Sequence, residues 1–91
     1  MEASEIPQRV AHVTHALMES WTNTGGCGPV TTAEVCEWDS EALTARNTAS
    51  ALVHARRLGL AGGGHGLWYA THRAWELRRA LEDRFLGEVA T

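Results

Sequence analysis

Residues 44–69 read TARNTASALVHARRLGLAGGGHGLWY, and this stretch decides the fold. Ala45, Ala49, Leu52 and Ala55 recur at helical spacing with Leu58 near the end, so the pattern predicts a helix over about 44–58 with those residues facing inward. Gly59 ends it, because glycine adopts the left-handed backbone that closes many helices. Leu60-Ala61 and Leu67-Trp68-Tyr69 then flank Gly62-Gly63-Gly64-His65-Gly66. Two short apolar runs around a glycine-rich tip predict a β-hairpin with a loop of about five residues, within a segment of about 59–70. The helix is left with a polar side made of Arg46, Asn47, Ser50, His54 and Arg57.

Upstream, Ile6, Val10, Val13, Leu17 and Trp21 step by four, three, four and four residues, which predicts a first helix over about 6–22. Pro7 suits its first turn, where a missing N–H costs nothing. Asn23-Thr24-Gly25-Gly26 ends it and Cys27-Gly28-Pro29 is loop, leaving Val30 for a short strand. Thr31 and Glu34 have the spacing of a capping box, in which a hydroxyl and a carboxylate satisfy two orphan amides reciprocally. That predicts a second helix over about 32–38, with Val35 and Cys36 inward. Asp39 to Ala42 form a turn and Leu43 is expected to plug the core. Downstream, Thr71 caps a last helix over about 72–86, whose Ala74, Leu77, Leu81 and Phe85 share a face.

Ninety-one residues make one domain, 1–91, with a small core. No apolar run approaches the length of a bilayer span, and the first residues lack the basic-then-apolar order of a secretory signal. A cytoplasmic location without membrane contact is expected. Cys27 and Cys36 do not make a disulfide framework. All eight basic residues are arginine. Charge is unevenly divided: residues 1–43 carry −6 and residues 44–91 carry +3, which points to the second half for any polyanionic partner.

The order helix, short strand, helix, helix, hairpin, helix is that of a winged helix, an α+β and mainly α fold. Its three-helix core carries a two- to three-stranded hairpin wing and a C-terminal helix. Val30-Thr31-Thr32-Ala33-Glu34-Val35 resembles the opening of the positioning helix of that superfamily. Ala51-Leu52-Val53-His54-Ala55-Arg56-Arg57-Leu58-Gly59-Leu60 is similar to a recognition helix running into the first wing strand. Leu67-Trp68-Tyr69-Ala70-Thr71 is similar to the returning wing strand. About sixty of the residues take part, and the nearest kin are MarR-like small regulators. The turn between Trp38 and Thr44 is about two residues longer than the tightest of such connections. The wing tip carries no arginine, leaving His65 as its one candidate DNA contact.

The resemblance implies binding to double-stranded DNA, as a transcriptional regulator or an accessory nucleoprotein factor. A helix in the major groove needs polar side chains on its exposed turns. Thr44, Arg46, Asn47, Ser50 and His54 meet that need, with Arg46 suited to guanine and Asn47 to adenine. Arg56, Arg57 and Arg73 are candidates for phosphates. One such helix covers few base pairs, so a homodimer is expected, built from the first and last helices near Trp21, Trp75, Leu81 and Phe85. Trp21 and Trp68 are expected in the core. The alternative is a winged-helix adaptor that binds a partner protein through its acidic half or its apolar hairpin. His12 and His15 are expected to be solvated, and with Cys27 and Cys36 they lack the paired spacing of structural zinc, so no metal or cofactor is expected. No nucleophile, base and orienting group stand at informative spacing, and the glycine cluster lacks the lysine and hydroxyl of a phosphate loop. A non-enzyme is expected.

Overall fold

A computed structural model of the chain describes residues 5–26, 28–40 and 44–83. Its elements run α1 (Gln8–Asn23), β1 (Val30–Thr31), α2 (Thr32–Trp38), α3 (Ala45–Arg57), β2 (Ala61–Gly64), β3 (Leu67–Ala70) and α4 (His72–Glu76), followed by helical residues at 78–83. The fold is α+β and mainly helical, with one antiparallel sheet in the order β1-β3-β2. Val30 pairs with Trp68, and Gly63 pairs with Trp68 from the other side.

Helix α1 is the centre of the molecule. Pro7 stands at its N-cap and Ile6 is buried just before it, so the helix starts two residues later than the apolar stripe suggests. Val10, Val13 and Leu17 are buried as their spacing requires. Ala11, His12, Thr14, Ala16, Met18 and Ser20 are buried as well, because α2, α3 and β3 all pack on this helix. His12, expected to be solvated, is therefore inside, and Trp21 is only half-buried.

Local signals set the other boundaries. Thr31 Oγ1 accepts from Glu34 N–H while Glu34 Oε1 accepts from Thr31 N–H, at 3.1 Å each, completing the capping box of α2. Thr44 and Thr71 cap α3 and α4 through their hydroxyls, accepting from the N–H of Asn47 and Ala74. At the end of α3, Leu60 N–H donates to Ala55 O and Gly59 N–H to Arg56 O, with Gly59 at φ 80°. This Schellman closure sends the chain straight into β2.

Four further expectations change. The hairpin loop is two residues, His65 and Gly66, rather than five. Their φ values of 57° and 78° are those of a type I′ turn, whose twist matches the strands it joins. Glycines 62–64 belong to β2, and two of them are required there: the Tyr69 ring lies where a Cβ on Gly62 would sit, and the Leu67 carbonyl where one on Gly63 would. Second, α3 is turned about its axis. Thr48, Ala51, Leu52 and Ala55 are buried while Ala45 is exposed, because the Thr48 hydroxyl donates to Asp39 Oδ2 at 3.0 Å and so satisfies a polar group inside. Third, Cys36 is half-buried beside the buried Val35. Fourth, the last helix breaks at Leu77, with helical backbone resuming at 78. Ala74 and Leu81 are buried and Leu77 half-buried, whereas Leu43 and Phe85 lie outside the described residues. No helix among the described residues is long and apolar enough to cross a membrane.

Candidate nucleic-acid interface

The face of α3 opposite its packed side carries the residues of interest. Thr44, Arg46, Asn47, Ser50, His54, Arg56 and Arg57 are all exposed. Asn47, Ser50, His54 and Arg57 follow one another by three, four and three residues, so they form a single stripe. With Arg9, Val10, Ala51 and Val53 they line a groove of about 500 Å³ between α3 and the start of α1. No acidic side chain occurs from Thr44 to Leu58. Among the described residues Arg46 makes no ion pair.

The remaining candidates are placed differently. Thr44 uses its hydroxyl on the helix it caps. Arg56 turns toward the hairpin: Nη1 donates to Gly63 O at 3.2 Å and the guanidinium lies over the Trp68 ring, 5.3 Å from its centroid. That cation–π contact, with one hydrogen bond, fastens the end of α3 to β2 and β3. Arg73 sits on α4, with Glu76 at 3.7 Å. His65 is exposed at the hairpin tip. The tip is held to α2, since Thr32 N–H donates to Gly66 O at 3.2 Å and Trp68 Nε1 donates to Thr32 Oγ1 at 2.8 Å.

The residue absent from the sequence-based candidates is Arg9. Its Nη1 and Nη2 donate to the two carboxylate oxygens of Asp39 at 2.8 and 2.6 Å, and Nε and Nη2 donate to Asn47 Oδ1 at 3.2 and 2.6 Å. The Asp39 side chain is fully buried and that of Arg9 is 29% exposed. Asp39 follows α2, so one fork-shaped cation ties α1, the end of α2 and the start of α3 together. The only sequence signal was an arginine standing alone in an acidic half. Nothing in local spacing joins residues thirty or thirty-eight positions apart.

Elsewhere, apolar surface is exposed at Trp38 (44%) and on the outer side of β3 at Leu67 (41%) and Tyr69 (47%). Trp75 is half-buried, its ring edge-on to Trp21 at 5.4 Å and beneath the Arg78 guanidinium. Among the described residues the one grouping of metal-ligating type is His15, Glu19 and Glu82, with ligand atoms within 4.8 Å of one another. It joins α1 to the last helical run, and Arg78 already pairs with Glu82 at 3.0 Å. Compared with protein-family models, with curated proteins and with solved structures, the chain matches none.

Proposed function

We propose that this protein is a small winged helix-turn-helix factor that binds double-stranded DNA by laying α3 in the major groove. It acts in the cytoplasm as a transcriptional regulator or an accessory nucleoprotein factor, and does so without chemistry of its own. The observation that carries this reading is the exposed, acid-free stripe Asn47, Ser50, His54 and Arg57, with Arg46 beside it. Cations on such a stripe displace condensed counterions from the duplex, so binding weakens as salt rises. Arg46 supplies a two-pronged donor for guanine, and Arg57 and His54 reach phosphates. Arg56 serves chiefly to brace the hairpin, and Arg73 and His65 are peripheral contacts.

A homodimer fits a helix that covers few base pairs. The first and last helices, which meet at the Trp21–Trp75 edge, are the surface proposed for the second copy.

Fluorescence polarisation with a labelled mixed-sequence duplex tests the proposal. The protein is expected to bind at low salt and to lose affinity as salt is raised, and an Arg46→Ala, Asn47→Ala double variant is expected to lose that signal. A second reading, a partner-binding adaptor on the same fold, is favoured by the exposed Leu67 and Tyr69. Absence of any duplex binding at low salt selects it.

A further inference from the structure

We infer that Arg9, from outside α3, fixes the amide of Asn47 with only its N–H donors facing outward, so that Asn47 selects guanine rather than adenine. The inference rests on the DNA-binding reading above and adds which base edge this residue addresses.

The orientation follows from the donor inventory. A guanidinium carries donors and no acceptor, so the group it holds must be an acceptor. Arg9 Nε and Nη2 reach one atom of the Asn47 amide, at 3.2 and 2.6 Å, and that atom must be Oδ1. A flipped amide would set N–H against N–H. Two donors occupy both lone pairs of Oδ1, and both bonds are charge-assisted. Arg9 is not free to move away, since the same guanidinium holds both oxygens of the buried Asp39, which Thr48 anchors in turn.

Adenine recognition by asparagine uses both ends of the amide: the oxygen accepts from N6–H and the nitrogen donates to N7. With Oδ1 committed to Arg9, an adenine would meet Nδ2–H donors next to its own N6–H donor. Guanine presents N7 and O6 side by side, both acceptors, and suits a donor-only group. The expected adenine preference of Asn47 thereby becomes a guanine preference.

The test is selection of bound sequences from randomised duplexes by the full chain, with two variants alongside. Asn47→Asp keeps an oxygen for Arg9 and turns a second oxygen outward, so the selected base is expected to change from guanine to cytosine, whose N4–H donates. The ratio of the two is expected to change about tenfold or more. Arg9→Met with Asp39→Leu removes the clamp without stranding a buried charge, and adenine is expected to be selected. Wild-type selection of adenine at the position that depends on Asn47, or an Asn47→Asp variant with unchanged preference, overturns the inference while the DNA reading stands. Failure of the wild type to bind any duplex at low salt overturns both. The clamp is read separately in the free protein by solvent hydrogen exchange of the Arg9 guanidinium Nε–H. Exchange as fast in wild type as in Asn47→Ala refutes the clamp.

Discussion

Replacing Arg9 by methionine isolates the physics of the junction between α1, α2 and α3. Methionine keeps much of the aliphatic stem and removes five donors, so the buried Asp39 carboxylate loses the two charge-assisted bonds from the guanidinium. Stranding one member of a fully buried ion pair costs about 3–5 kcal/mol. Arg9 is 29% exposed, so water can partly take its place, and the expected loss falls to about 2–3 kcal/mol. For a domain of this length that is a large share of a stability of roughly 5–14 kcal/mol. It corresponds to a fall in Tm of about 10–20 °C. Asp39→Leu alone should cost less, about 1–2 kcal/mol, because Arg9 can turn toward solvent. The double variant should recover a coupling energy of about 1–2 kcal/mol relative to the sum of the two. Urea titrations of the four proteins, followed by tryptophan fluorescence, measure the cycle. An Arg9→Met variant within about 0.5 kcal/mol of wild type, or a coupling indistinguishable from zero, would refute the reasoning.

Three further outcomes are expected. Gly63→Ala places a Cβ against the Leu67 carbonyl at a residue with φ 118°, and should cost more than about 2 kcal/mol in thermal unfolding, with loss of the β2–β3 amide protection seen by hydrogen exchange. Thr14 is buried, and among the described residues its hydroxyl has no hydrogen-bond partner, so Thr14→Val should leave stability unchanged or raise it by up to about 1 kcal/mol in urea. Arg57→Gln should weaken duplex binding evenly across sequences and reduce the slope of log affinity against log salt by about one, while the melting temperature stays within a few degrees.

The parts of the fold that were legible are those written in neighbouring residues. The Thr31 and Glu34 capping box, the Thr71 cap and the Gly59 closure each act over three to five positions, and each is present. The hairpin was legible as a hairpin, but its three glycines read as loop because glycine is depleted in strands. Gly62 and Gly63 are needed in the strand because the Tyr69 ring and the Leu67 carbonyl come close across the sheet, which no local pattern encodes. The inward face of α3 excludes Ala45 and includes Thr48; a hydrophobic count gives no weight to a hydroxyl that has found a buried carboxylate. The stripe on the outer face of α3 was readable from its polar spacing. Arg9 was not, since its partners are brought to it only by the packing of three helices. The break at Leu77 has neither glycine nor proline to announce it.

The ties among Thr32, Gly66, Trp68, Arg56 and Gly63 have a mechanical consequence. They weld the hairpin tip, the first turn of α2 and the last turn of α3 into one block. A partner that touches both hairpin and helix meets a die of fixed shape instead of a jaw with two moving parts. Little ordering remains to be done on the protein side at contact, so whatever fits is held with small entropic loss, and whatever needs the two parts to open is turned away.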